Sequence, residues 1–273
     1  MDVPKKVAAI HDIAGFGRSS LTVVIPVMSV MGHQTCPVPT AVLSTITGFY
    51  EGFVFKDLTD ILPDYLAHWQ KENVHFDCIY TGFLGSPEQS KIAGSFIDSL
   101  SAPLVVVDPV FSDDGTMYSC FDSKMVDSMR ELIKKADVIT PNVTEAAFLL
   151  GETDFSPRLD KAKDYAKRLA EKADCSVIIT SVAETEKSVS VVIYNKHTCV
   201  CSHVSNPYIN ARYPGTGDLF TSVFTGAHMK GMSIEDSTAK AAAFVSDSMA
   251  LAAQNKVPAR EGVPLEYMLS KLI

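Results

Sequence analysis

Short apolar runs alternate with stretches of helical spacing through most of the chain. The runs are Val7–Ile10, Thr35–Val38, Cys78–Thr81, Leu104–Val107, Val138–Thr140, Val177–Thr180, Val189–Tyr194 and Thr198–Val204. Several are continuous and β-branched, such as Val105-Val106-Val107 and Val177-Ile178-Ile179, as in strands buried on both faces. Between them, apolar positions recur at helical spacing over about 19–31, 58–72, 87–100, 122–135, 143–150 and 160–172. Such alternation predicts right-handed crossovers and a mostly parallel, twisted sheet with helices on both faces, an α/β fold. After Ser176 the pattern changes. Two runs flank Asn195-Lys196-His197, which predicts a hairpin and an antiparallel edge. The last quarter is helical: one apolar helix begins at Leu219 and stops at Gly231, and Ser233 offers an N-cap to an Ala-rich helix through about Gln254.

Open parallel sheets bind ligands beyond the carboxyl ends of their strands. Polar residues end run after run: His11-Asp12, Thr81-Gly82, Asp108-Pro109, Thr140-Pro141-Asn142 and Thr180-Ser181. No repeat or linker divides the chain, so residues 1–273 read as one domain. Composition narrows the function. With 47% hydrophobic and 21% charged residues the chain is globular, and 24 Lys+Arg against 32 Asp+Glu leave a net charge of −8. That balance argues against a nucleic-acid binder, which needs basic excess to displace phosphate counterions. No apolar stretch approaches the roughly 20 residues of a membrane span, and the first residues do not form a signal peptide. The six cysteines show no C-x-x-C pair and read as free thiols of a cytoplasmic protein.

The sharpest local signal is Pro214-Gly215-Thr216-Gly217-Asp218, followed at once by an apolar helix. Two glycines around a small residue let backbone N–H groups converge where a helix N-terminus also points, a nest for an anion. A carboxylate beside that nest can take a proton from a hydroxyl while the nest stabilises a transferring phosphoryl group.

These residues, Gly215-Thr216-Gly217-Asp218 with Leu219-Phe220, resemble the C-terminal signature of the ribokinase-like superfamily. Four further blocks resemble its pyridoxal (vitamin B6) kinase branch: Leu43–Gly48, Tyr80–Ser86, Val107–Val110 and Ile139–Glu145. They occur in the family's order over nearly the whole chain. The resemblance implies a ribokinase-like fold and ATP-dependent phosphorylation of the 5′-hydroxymethyl group of pyridoxal, pyridoxamine or pyridoxine. It implies Asp218 as the catalytic base, with Gly215, Thr216 and Gly217 around the anion hole. Asn142 and Glu145 match the N-x-x-E motif that organises Mg²⁺ and nucleotide phosphates, Asp113 is placed like the acidic residue near the triphosphate, and Thr180 and Ser181 resemble residues near the ATP phosphates. Asp113 and Glu145 are thus the implied metal ligands. ATP and Mg²⁺ are the implied cofactors, with a monovalent cation as an option and a homodimer as the assembly.

On the substrate side, Asp12, Thr47 and Phe83 occupy the resembling positions. Many B6 kinases carry Ser at the place of Asp12, His at Ile46 and Tyr at Phe83. Phe111 and Ser112 also depart from the residues usual after Asp-Pro-Val. These changes leave the preferred vitamer open. Two other functions stand beside this one: the hydroxymethylpyrimidine kinase of thiamine synthesis, and a non-catalytic homologue that binds a vitamer. No G-x-x-x-x-G-K-[ST] loop is present, which argues against a P-loop kinase.

Other features carry less. His197-x-Cys199-x-Cys201-x-His203, read as a strand, spaces its ligands about 6.5–7 Å apart, too far for one Zn²⁺. Gly15-Phe16-Gly17-Arg18 lacks the third glycine of a dinucleotide loop and reads as a loop over the substrate, with no role assigned to Arg18. Trp69 reads as partial core. The aromatic stretch Phe49–Phe55 reads as a flap, a dimer edge or an ordinary strand.

Overall fold

The structure is a computed structural model that describes residues 3–47, 50–185 and 187–273. Among the described residues, eleven strands and eight α-helices follow one another as β1 (Lys6–Ala14), α1 (Leu21–Val30), β2 (Gln34–Leu43), β3 (Phe55–Asp57), α2 (Leu62–Lys71), β4 (Cys78–Thr81), α3 (Pro87–Leu100), β5 (Val105–Val107), β6 (Ser112–Asp113), β7 (Thr116–Met117), α4 (Ser123–Leu132), β8 (Val138–Ile139), α5 (Val143–Leu150), α6 (Leu159–Ala173), β9 (Ser176–Thr185), β10 (Ser188–Asn195), β11 (Val200–Pro207), α7 (Thr216–Met229) and α8 (Ile234–Gln254). Nine strands form one sheet in the order β11-β10-β9-β8-β5-β4-β1-β2-β3, and β6-β7 is a separate small hairpin. The six strands from β9 to β2 are parallel.

Alternate residues of these strands face opposite sides of the sheet, as a period of two requires, and join three apolar clusters. Ala8, Ile10, Ile79, Val105, Val107, Ile139, Val177 and Ile179 meet side chains of α3 to α6. Val7, Ala9, Cys78, Tyr80 and Val106 face α1, and Val138, Ile178, Val191 and Ile193 pack with α7 and α8. Trp69 packs partly buried against Phe76 and Phe96, as expected of a core edge.

Antiparallel strands close both ends of the sheet. β10 and β11 form the expected edge, while β3 pairs antiparallel with β2 at Ala41–Leu43. This second edge is where the aromatic stretch ends, with Val54 and Phe55 exposed; Gly48 and Phe49 lie outside the described residues. The hairpin loop is longer than its sequence indicates. β10 continues through Asn195 and β11 starts only at Val200, because the Asn195 side-chain oxygen accepts the N–H groups of His197 and Thr198 at 3.0 and 3.4 Å and curls the chain into an Asx turn. His197 and Cys199 therefore leave the strand that holds Cys201 and His203, so the four do not share a strand face. Helix α7 also starts earlier than the apolar pattern shows. Gly215 is its N-cap at φ 77°, and Thr216, Gly217 and Asp218 form its first turn. Gly231 (φ 93°) ends α7, and Ser233 caps α8 by accepting the Asp236 N–H at 3.0 Å.

The chain runs from β1 outward to β2 and then returns to β4 on the other side of β1. The crevice between the carboxyl ends of β1 and β4 is thus the topological switch point of the sheet.

Candidate active site

At that switch point β4 ends at Thr81, beside Ile10 of β1, so His11 and Asp12 are the first residues of β1 beyond it. Their side chains are buried, and the imidazole bridges two carboxylates. His11 Nδ1 lies 2.8 Å from Asp12 Oδ1, and His11 Nε2 lies 2.9 Å from Asp218 Oδ1. Gly82 makes room for the ring: a Cβ there would collide with the imidazole. The other Asp218 oxygen accepts the Ser20 N–H at 2.6 Å. Ser20 takes φ 54° and ψ −139°, a backbone conformation that residues other than glycine rarely adopt.

The electrostatics of this bridge are decisive. Burial pulls the pKa of His11 down, but the Asp218 charge and hydrogen bonds to both carboxylates outweigh it and raise the group to about 10. The main-chain N–H groups of Asp12 (2.9 Å) and Phe83 (3.3 Å) also point at Nδ1, bonds that only an unprotonated nitrogen accepts. The 2.8 and 2.9 Å contacts to two carboxylates favour the protonated ring, whose charge balances theirs. For Asp218, burial pushes the pKa up, but the His11 charge and hydrogen bond and the Ser20 N–H hold it below the usual carboxylate range. Its side chain remains 12% exposed, enough to meet a ligand.

Asp218 also stands in the first turn of α7. The first intrahelical bond there runs from Leu219 N–H to Gly215 C=O at 2.9 Å, so the N–H groups of Thr216, Gly217 and Asp218 are the orphan donors of the helix end. Gly215 is wedged against the carbonyl oxygen of Arg18. Arg18 is itself tied down: its Nε reaches Glu266 at 3.1 Å and its Nη1 donates to the Glu261 carbonyl at 3.0 Å. Arg18 thus braces the glycine turn. The Gly15–Gly17 loop pairs with the segment after β2 through Gly15 N–H to Leu43 C=O (2.8 Å), Phe16 N–H to Ser44 C=O (3.1 Å) and Ile46 N–H to Phe16 C=O (3.1 Å). Ile46 is buried against Gly17, and Thr47 is exposed beside it. Phe83 is half-buried, its ring 5.6 Å from that of Phe121.

A second buried polar group lies further along the strand ends. Asp108 is 5% exposed and accepts the Thr221 hydroxyl at 3.1 Å; that hydroxyl also lies 3.0 Å from the Thr140 hydroxyl. Burial, and next the Asp218 charge, push the Asp108 carboxyl up to about 7. Glu145 is buried beyond it, in a capping box with Asn142: Glu145 Oε2 accepts the Asn142 N–H at 2.8 Å and Asn142 Oδ1 accepts the Glu145 N–H at 2.9 Å. Glu145 Oε1 accepts the Phe111 N–H at 3.2 Å, and the Asn142 amide donates to the Ser112 carbonyl at 2.7 Å. Burial, then the charge of Asp108, push Glu145 well above the usual carboxylate range.

Asp113, Asn142, Thr144 and Ser181 line a cleft of about 300 Å³. Thr180 does not line it; its N–H is bonded to the Pro141 carbonyl at 3.0 Å in a bridge beside Asn142, and the next residue, Ser181, takes a left-handed φ of 62°. At the mouth, Arg212 pairs with Asp113 at 2.7 Å and also with Asp114. Sequence reasoning assigns no role to Arg212. His11 and Asp108 appear in it only as polar strand ends.

A mostly parallel sheet with an acid-bearing glycine turn at its switch point agrees with the ribokinase-like class that the sequence resembles. The family model described as phosphomethylpyrimidine kinase matches residues 19–263, and the chain belongs to that family. The fold is closely similar to a Bacteroides thetaiotaomicron protein provisionally assigned as a phosphomethylpyrimidine kinase and crystallised with pyridoxal (TM-score 0.94, 47% identity, 98% of this chain and 96% of that one). It is also similar to pyridoxal kinase from Lactobacillus plantarum (TM-score 0.91, 29% identity, 99% and 97%). A hydroxymethylpyrimidine/phosphomethylpyrimidine kinase of Bacillus subtilis is 29% identical over 180 residues, 65% of each chain. Among the described residues, no helix is long and apolar enough to cross a membrane.

Proposed function

We propose that the chain transfers the γ-phosphoryl group of ATP to the 5′-hydroxymethyl group of pyridoxal, pyridoxamine and pyridoxine. The observation that carries this reading is Asp218: an ionised carboxylate at the orphan N–H groups of α7, in the crevice where the sheet reverses direction. Asp218 takes the hydroxyl proton as the oxygen bonds to the γ-phosphorus, while the bond from that phosphorus to the β,γ-bridging oxygen breaks and ADP leaves. The N–H groups of Thr216, Gly217 and Asp218 stabilise the negative charge on the transferring group. Asp12 and Phe83 frame the pyridine ring, with Thr47 on the adjoining loop. Asn142 and Ser181 line the cleft for the nucleotide phosphates, with Thr180 just before Ser181 as a further proposed contact.

The carboxylates suit Mg²⁺, a hard cation that prefers one or two carboxylates together with substrate phosphates. Asp108 and Glu145 are buried acids with no ion pair among the described residues, and burial outweighs the pull of the His11 charge on Asp108, which is the state a bound cation would relieve. These two would hold Mg²⁺, which when bound neutralises charge on the nucleotide phosphates; Asp113 at the mouth is paired with Arg212 and would join them only on leaving that pair. Asp108→Asn therefore removes an unbalanced buried charge while keeping an acceptor for Thr221. The expected outcome is an equal or higher Tm for the free protein and a loss of most of the Tm gain given by ATP and Mg²⁺; thermal unfolding with and without the nucleotide checks both. The chain is further proposed to work as a homodimer.

The pyrimidine reading rests on the family model and the Bacillus subtilis relative. A side-by-side assay of ADP release with the three vitamers and 4-amino-5-hydroxymethyl-2-methylpyrimidine separates the two. The expected result is a kcat/KM at least tenfold higher for a B6 vitamer, and a preference for the pyrimidine overturns the proposal.

A further inference from the structure

The mechanism above does not use the most constrained side chain of the crevice. The His11 imidazole is clamped at both nitrogens, 2.8 Å from Asp12 and 2.9 Å from Asp218. It stands edge-on to Tyr80 with ring centroids 6.3 Å apart, in space that exists only because residue 82 is glycine. We propose that His11 is a positioning residue, which holds the Asp218 carboxylate ionised and aimed at the substrate hydroxyl from its anchor on Asp12. This role rests on the kinase reading of the site.

The reason lies in the neighbouring charges. Asp218 on α7 faces Asp108 beyond β5, and Tyr80 on β4 and Tyr118 beyond β7 both feel its charge. Asp12 on β1 stands on the far side of the imidazole. Apart from His11, these groups are acids or phenols, which oppose ionisation of Asp218 when they carry charge. Without the imidazolium, burial would favour the protonated Asp218 carboxyl, and a protonated carboxyl cannot accept the hydroxyl proton. The clamp also fixes geometry. With Oδ1 on His11 and Oδ2 on the Ser20 N–H, the carboxylate plane cannot rotate, and fixed orientation is a large part of what accelerates phosphoryl transfer.

His11→Gln keeps a neutral donor near Asp218 and removes the charge. The acid limb of the kcat/KM profile should move up by at least one pH unit, so the deficit against wild type should reach about tenfold on the acid side of that limb and shrink as pH rises above it, with KM for ATP little changed. A deficit that stays constant with pH in a folded variant assigns His11 a packing role and overturns the proposal. Nitrogen-15 NMR of the His11 ring tests the clamp independently of activity and of whether the variant folds. Wild type should show both ring nitrogens protonated through pH 8, and Asp218→Asn should lower the pH at which one proton is lost. A neutral ring in wild type at pH 7 contradicts the clamp, whereas a protonated ring in a protein that phosphorylates no vitamer would contradict only the kinase reading.

Discussion

Asp218→Asn should lower kcat for vitamer phosphorylation by about 10²–10⁴-fold, the contribution typical of a positioned general base. The amide is nearly the same size and can still accept from Ser20, so the fold and the KM for ATP should change little. The loss should appear in kcat and in kcat/KM alike, because the proton is taken only as the transition state forms. The pairing with His11 gives the change a second signature. Asp218 is held below its ordinary pKa, so its ion pair contributes stability above the unfolded carboxylate range, and that contribution fades as pH falls through the lowered folded value. His11 is raised from 6.5 to about 10, so its share is full below pH 6.5 and is lost as pH rises to about 10. The wild-type Tm advantage over Asp218→Asn should therefore be present at pH 6 and shrink towards pH 10. Thermal unfolding across that range, beside steady-state ADP release at pH 7.5, checks both effects.

Gly215→Ala should be comparably damaging for a different reason. Gly215 has φ 77°, in the left-handed region, and a Cβ there would run into the Arg18 carbonyl oxygen and lie 3.0 Å from the Ser19 Cα. Left-handed backbone costs an ordinary residue about 1–3 kcal/mol, and the clash is with backbone held by Glu261 and Glu266 rather than with a flexible side chain. The first turn of α7 must shift, and with it the three N–H donors and Asp218. The expected outcome is a fall in activity of at least 100-fold with a Tm several degrees lower. Gly217→Ala is the control, since a Cβ there meets nothing within 4 Å and no left-handed φ is involved. It should keep the wild-type Tm. A Gly215→Ala protein with normal activity would show that the glycine turn does not shape the anion site.

Much of the architecture was legible because period and burial coincide. Val105-Val106-Val107 and Val177-Ile178-Ile179 are continuous apolar runs, since both faces of a parallel sheet are covered. Strand β3 was not, because Phe55–Asp57 is only three residues at an edge with two of them exposed. The β10–β11 loop was misjudged because Thr198 and Cys199 suit a strand, while the Asx turn at Asn195 depends on one side-chain oxygen. The start of α7 was hidden because glycine weakens a helical pattern even where it opens the helix. Of the site, Asp218 stands out through its flanking glycines and Asn142–Glu145 through their match to the N-x-x-E motif. His11 could be seen only as a polar strand end; its meeting with a residue 207 positions away is set by the sheet order. Arg212 gave no signal, because its pairing with Asp113 and Asp114 is an exposed long-range contact.

The most direct measurement is a crystal structure with pyridoxal and a non-hydrolysable ATP analogue bound together. The 5′-hydroxyl oxygen should lie about 2.6–3.2 Å from a carboxylate oxygen of Asp218 and face the γ-phosphorus, with that phosphate at the first turn of α7. A ternary complex in which the hydroxymethyl group points away from Asp218, or the γ-phosphate lies elsewhere, would contradict the account.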